Sequence, residues 1–236
     1  MAGHALIVGA GSGISASFAR ALAADGMQVG LVARDIDKLA DLCQEINGQA
    51  FACDAVDPYA VETLFAQVDE AFGGVDVVLY NPSWRVRAPL VQLDPEDVRK
   101  SLMVTAYGAF LVAQQAAKRM LAQGHGAIFF TGASAGVKGY PQSATFAMGK
   151  FALRGLAQSM ARELHPKNIH IAHFVIDGGV AGVMSGRPVE GRANTDDQPD
   201  VWLEPDAIAQ TYLNVLKQHR SAWSWEIELR PWVENF

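Results

Sequence analysis

The chain has 236 residues, half of them hydrophobic and 19% charged, which excludes intrinsic disorder and leaves ample material for one α/β domain. A formal net charge of −6 offers no basic footprint for nucleic acid or anionic lipid. Two cysteines, Cys43 and Cys53, are too few for a disulfide scaffold or a four-ligand zinc site, so both are expected as free thiols in a reducing compartment.

Short runs rich in β-branched or aromatic residues alternate with longer runs of helical period. Residues 5–8 predict a buried strand and 12–24 a helix rich in Ala, Leu and Arg. Residues 28–33 predict the next strand. Residues 35–46 follow as a helix with Ile36, Leu39, Leu42, Cys43 and Ile46 on one stripe. A short strand is expected at 51–53, and a helix at 58–72 with Val61, Leu64, Phe65 and Val68 on one face. The pattern then gives a strand at 75–79, one long helix at about 95–121, a strand at 127–131, a helix at 143–164 and a strand at 169–176.

Nearly all-apolar strands are buried on both faces, and strict β-α-β alternation with right-handed crossovers gives a doubly wound parallel sheet. The expected architecture is therefore α/β: a single Rossmann-type sheet flanked by helices on both faces, with residues 1–236 as one domain. Residues 180–200, rich in Gly, Pro, Arg and Asp, break the rhythm, and the stretch 181–204 is expected to form a lid over a substrate pocket. A helix at 205–218 and a strand at 223–229 end the series; Trp223, Trp225, Ile227 and Leu229 alternate with polar residues. The most apolar long stretch, 102–117, holds Thr105, Gln114 and Gln115 and falls short of the ~20 apolar residues of a membrane span, and no Lys/Arg-rich leader precedes the first strand. A soluble, cytoplasmic protein is expected.

The loop Gly9-Ala10-Gly11-Ser12-Gly13-Ile14-Ser15 joins the first strand to the first helix. Glycines let backbone N–H groups approach an anion, and the helix N-terminus adds partial positive charge, so Gly9, Ser12, Gly13 and Ile14 are expected to cradle a dinucleotide pyrophosphate. An acidic residue at the end of the second strand would hydrogen-bond the adenosine ribose. Here Ala33 is followed by Arg34, a forked cation suited to a 2′-phosphate, while Asp35 reads as the N-cap of the next helix. The cofactor expected is NADP(H), with NAD(H) the other possibility.

With these residues in place the chain resembles the short-chain dehydrogenase/reductase family over nearly its whole length. That family carries Gly-x-x-x-Gly-x-Gly; Gly9 and Gly13 match, and Ser15 stands in the third place. The resemblance implies that Asp54, with Ala55 beside it, meets adenine, and that Asn81 retains one position of an Asn-Asn-Ala-Gly turn now reading Tyr80-Asn81-Pro82-Ser83. It places Gly178 and Val180 beside the nicotinamide and Lys150 on its ribose.

The catalytic set departs from that pattern. Family members use Tyr-x-x-x-Lys, and the tyrosine position is Phe146; the family serine falls on Ala133, with Ser134 beside it, and the asparagine on Thr105. Loss of a general acid typically costs ~10²–10⁴-fold without abolishing positioning or cofactor chemistry. Three replacements stay open: the Tyr140 hydroxyl, a hydroxyl from Ser134 or Ser143, or a substrate such as an imine or activated alkene that needs no acid. Trp84 and Trp202 either line the pocket or pack; His170 and His173 read as core or edge residues.

Two functions are compatible with this pattern. One is an oxidoreductase moving hydride to or from a small carbonyl-, imine- or enone-like substrate. The other is a catalytically degenerate NADP(H)-binding protein that serves as a sensor or inactive partner subunit. The family pairs its long central helices between subunits, so a homodimer or homotetramer is expected through residues such as Ala106, Ala109, Ala113, Ala152 and Leu156. The tail 230–236 is a second expected subunit contact.

Overall fold

In the computed structural model, which describes residues 3–184, 187–188 and 190–235, seven parallel strands form one sheet in the order Gln49–Ala52, Gln28–Ala33, His4–Val8, Val77–Tyr80, Gly126–Thr131, Ile169–Ile176 and Glu226–Leu229. The chain builds it from β1 (His4–Val8), α1 (Ile14–Ala24), β2 (Gln28–Ala33), α2 (Ala40–Ile46), β3 (Gln49–Ala52), α3 (Pro58–Phe72) and β4 (Val77–Tyr80). It continues through α4 (Pro95–Leu102), α5 (Gly108–Gln123), β5 (Gly126–Thr131), α6 (Ala144–Leu164) and β6 (Ile169–Ile176). Two-residue strands β7 (Val183–Met184) and β8 (Arg187–Pro188) pair antiparallel, and α7 (Pro205–Leu216) and β9 (Glu226–Leu229) complete the chain.

Alternate strand residues feed two separate cores. Leu6, Val8, Val78, Ile128 and Phe130 face α3, α5 and α6, whereas Ala5, Ile7, Leu31, Phe129 and Phe174 face α1 and α7. Apolar residues on both faces explain why the strands read as continuous hydrophobic runs. The order reverses between β1 and β4, and at such a switch point the connections leave in opposite directions and open a crevice at the carboxyl ends of the strands.

Several expected boundaries are corrected. The helix over 35–46 begins only at Ala40, because Asp37–Leu39 takes a tighter 3₁₀ turn; Asp35 is therefore not its N-cap, a place that falls to Leu39, and its carboxylate accepts from the Asp37 amide at 3.2 Å. The single helix over 95–121 is interrupted by a π-helical turn at Met103–Tyr107. The fourth strand starts two residues later than expected and ends on Tyr80, whose fully buried hydroxyl donates to the Val104 carbonyl at 2.5 Å and so ties the strand to that turn. The irregular stretch after β6 is anchored at both ends: the Ala181 amide donates to Leu203 and the Leu203 amide to Gly179, both at 2.9 Å. No helix among the described residues is long and apolar enough to cross a membrane.

Candidate active site

The crevice at the switch point is a cleft of about 750 Å³. Its walls include Gly9, Ser12, Ile14, Asn81, Ser134, Tyr140, Lys150, Gly178 and Val180, so the fold brings nine of the expected site residues together. Gly13 lies among them as the N-cap of α1, with φ +85° and no side chain capping the helix. The first amides of α1 therefore lack a side-chain acceptor, as an anion site at a helix N-terminus requires. Gly9, at φ +80°, is needed for a second reason: a Cβ there would lie 2.7 Å from the Pro82 ring.

Ser15, in the third glycine place, is buried and bridges the two sides of the crevice. Its hydroxyl donates to the Gly9 carbonyl at 3.1 Å and accepts from Asn81 Nδ2 at 2.8 Å. Arg34, Asp54 and Ala55 lie outside the cleft walls. They follow the neighbouring strands β2 and β3, paired through Ala33 and Ala52, and so share the carboxyl edge of the sheet. Arg34 is exposed and has no hydrogen bond or ion pair among the described residues.

Lys150 sits in the second turn of α6 with its side chain against β5. It is 2% exposed, and Nζ donates to the Thr131 carbonyl at 2.6 Å. Burial penalises the ammonium and brings its pKa down to about 7. Phe146 lies one helical turn earlier in the same wall, where its ring is flanked by Lys150 Nζ at 5.7 Å and the Arg85 guanidinium at 5.1 Å from the centroid. Thr105 does not reach the cleft. It is fully buried in the π-helical turn, where Oγ1 accepts from the Trp84 amide at 3.3 Å.

Beneath α6 runs a polar seam that the sequence pattern does not reveal. His173 is fully buried, and its Nδ1–H donates to Glu226 at 3.0 Å; Arg154 holds the same carboxylate with two bonds of 2.7 Å. Burial lowers the His173 pKa to about 4, so the ring is neutral at physiological pH. Nε2 then remains an acceptor without a partner among the described residues. It presses on Gly132, where a Cβ would stand 2.3 Å away; this accounts for glycine next to the carbonyl that anchors Lys150.

Tyr140 lies at the cleft wall and is 41% exposed; its hydroxyl and the Asp177 carboxylate together raise the Lys138 pKa. The two tryptophans separate. Trp202 lines the cleft with Arg192 over its ring at 4.9 Å, whereas Trp84 is covered by Lys100, 3.7 Å from its centroid, and packs away from the cleft. Of the lid expected over 181–204, residues 185, 186 and 189 lie outside the described residues. Arg192 and Trp202 reach the cleft.

Sequence reasoning missed Arg85, Arg87 and Glu234, all in the cleft wall. Trp84-Arg85-Val86-Arg87-Ala88 alternates apolar and charged residues, a signal of an extended segment with two faces. Thr145 fixes that segment, its hydroxyl donating to the Val86 carbonyl at 2.8 Å and accepting from the Val86 amide at 3.4 Å.

A doubly wound sheet with a glycine loop and an uncapped helix at its switch point defines an α/β protein of the dinucleotide-binding kind. The sequence profile described as short chain dehydrogenase matches residues 3–189, and the chain belongs to that family of oxidoreductases. Sorbitol-6-phosphate 2-dehydrogenase of Escherichia coli (strain K12) is 28% identical over 218 residues, covering 89% of this chain and 82% of that protein. A short-chain dehydrogenase structure from Rhodopseudomonas palustris superposes with a TM-score of 0.81 at 33% identity, covering 98% of this chain and 99% of that one. An alcohol dehydrogenase from Thermococcus sibiricus, solved with 5-hydroxy-NADP, gives a TM-score of 0.86 at 25% identity over 100% of this chain and 99% of that one.

Proposed function

We propose that the chain is an NADP(H)-dependent reductase of a small carbonyl-, imine- or enone-like substrate, in which Lys150 is the proton donor and Phe146 stands in place of the family tyrosine. The carrying observation is that Lys150 is buried in the cleft wall with its pKa near 7, so Nζ holds a transferable proton at physiological pH. A nicotinamide cofactor, when bound, supplies or accepts the hydride. The residues present fit such a group: the uncapped start of α1 and Gly9 would take the diphosphate, Asp54 and Ala55 at the sheet edge the adenine, and Asn81, Gly178 and Val180 the nicotinamide end.

This chain's own groups then have distinct tasks. Lys150 protonates the substrate oxygen or nitrogen, and its bond to Thr131 fixes Nζ in place. Ser134, in the 3₁₀ turn after β5, offers a hydroxyl to the same atom, and Tyr140 closes the rim. Titration with NADPH and a mixed panel of ketones, imines and enals tests this reading. Cofactor oxidation with one class of substrate is the expected result. Tight NADPH binding with no oxidation selects the second reading, a catalytically silent binder, which the missing Phe146 hydroxyl favours.

Arg34 supports the choice of NADP(H), since it offers an exposed, unpaired guanidinium at the end of β2. Arg34→Ala is expected to weaken NADPH by roughly 1–3 kcal/mol, the scale of a charge-assisted bond, and to leave NADH unchanged. Equal weakening of both cofactors in a binding titration would contradict the assignment.

A homo-oligomer through the two long helices is part of the proposal. Of the residues expected there, Ala109 and Ala113 are buried within the subunit, whereas Ala152 is exposed and Ala106 and Leu156 are partly so. On the same helices Tyr107 and Phe110 of the π-helical turn and α5, with Met148 and Phe151 of α6, are each 39–46% exposed. Apolar side chains of this size, exposed on neighbouring helices, fit an isologous contact. Phe110→Glu with Phe151→Glu is expected to yield monomers by sedimentation, and an unchanged mass would exclude this face. The reducing location expected from two unpaired thiols, Cys43 and Cys53, fits a cytoplasmic enzyme.

A further inference from the structure

We infer that the substrate carries an oxyanion group, a carboxylate or a phosphate, bound by Arg85 and Arg87 in the cleft wall; this rests on the reading of the cleft as a reductase site. The chain as a whole is acidic, with a formal charge of −6, yet these two exposed guanidinium groups stand in the cleft wall. Neither has a carboxylate partner among the described residues. The acidic residues of the wall are Asp177 and Glu234, and Asp177 is already engaged by Lys138 and by Arg230 at 2.8 Å. Two guanidinium groups with no ion-pair partner in one cleft wall attract an anion, and their planar forks match the paired oxygens of a carboxylate or phosphate.

Their position is imposed by the backbone. Thr145, fully buried at the start of α6, holds Val86 by both its amide and its carbonyl, and the Ala88 amide donates to the Gln142 carbonyl at 3.2 Å. In an extended segment alternate residues take opposite faces. Val86 and Ala88 are partly buried against the protein, so Arg85 and Arg87 are left to the cleft. Residues 86 and 88 are thus fastened to α6 and the turn before it, whereas Asn81 and Pro82 at the start of the segment meet the glycine loop. Arg85 is held further by the Phe146 ring at 5.1 Å, the same ring that Lys150 Nζ approaches at 5.7 Å. The proton donor and the anion-binding cation thus flank one side chain, so the anionic group and the reacting carbonyl belong to one small molecule.

The test is calorimetric titration of the full chain, with and without saturating NADPH. Two matched pairs serve as probes: phenylglyoxylate against its methyl ester, and glyceraldehyde 3-phosphate against glyceraldehyde. The expected result is at least 30-fold tighter binding of the anionic member of one pair, which tells carboxylate from phosphate. In the double variant Arg85→Ala, Arg87→Ala that preference is expected to fall to within threefold while NADPH affinity is unchanged. Equal binding of the neutral partners overturns the proposal. So does a preference that survives the double variant, since it puts the anion on another group of the cleft, such as the glycine loop, Lys150 or Arg192. NADPH binding is read separately: its absence alongside an Arg85- and Arg87-dependent preference overturns the reductase reading and supports the anion site.

Discussion

Lys150→Met is expected to lower kcat/KM for carbonyl reduction by about 10²–10⁴ and to raise the melting temperature in the same experiment. The opposite signs have one cause. Lys150 is 2% exposed and burial alone brings its pKa down to about 7, so the fold holds an ammonium where it is poorly solvated. An unfolded lysine titrates near ~10.4, so between pH 7 and that value the unfolded chain binds more protons than the folded one. Stability of the native enzyme therefore rises with pH across this window, and below about pH 7 the full cost is present. Methionine keeps the length and apolar stem of the side chain without the charge, and should add roughly 2–4 kcal/mol at neutral pH after loss of the Thr131 hydrogen bond.

The activity has its own pH signature. A donor that must be protonated loses activity as the pH rises through its pKa, so reduction should decline above about pH 7. A reduction profile that stays flat from pH 6 to 9 would remove Lys150 as the acid. Chemical denaturation at several pH values checks the stability half, because the rise with pH should disappear in Lys150→Met.

Phe146→Tyr is expected to raise ketone reduction by about 10²-fold, the lower end of what a positioned acid supplies. The ring already stands in the cleft wall, one helical turn before Lys150, so the substitution adds a hydroxyl without moving the scaffold. Its effect on stability should stay within about 1 kcal/mol, since the side chain is only partly buried. A gain in kcat with little change in KM would show that a phenol at this position delivers the proton better than Lys150 does. An unchanged rate with retained NADPH binding would show that the pocket is built for a substrate that needs no phenol.

The sequence marked the strands and helices well where one residue's neighbours decide its state. Apolar runs such as Ala5-Leu6-Ile7-Val8 are buried on both faces whatever packs on them, and the stripe of Val61, Leu64, Phe65 and Val68 predicts α3 with the bounds observed. Boundaries slipped where a tertiary contact adjusts the backbone, as at Tyr80, whose hydroxyl is held by the π-helical turn. The glycine loop was recognisable because its spacing is local, and Lys150 and the residues beyond β6 through the family resemblance.

Other features required the chain to be folded. The length of a helix does not say which of its small residues turn inward, and Ala109 and Ala113 proved to be core rather than subunit contact. His173 meets Glu226 across 53 residues of sequence, and Arg154 meets the same carboxylate across 72. Arg85 reaches Phe146 only because the segment after β4 is fastened to the start of α6. The lowered pKa of Lys150 likewise depends on everything packed around the ammonium. Periodicity and motif spacing are properties of neighbours along the chain, and they set the sheet and the glycine loop of this protein. Charge pairing, desolvation and the walls of the cleft are properties of neighbours in space, and the crossovers of the sheet decide those.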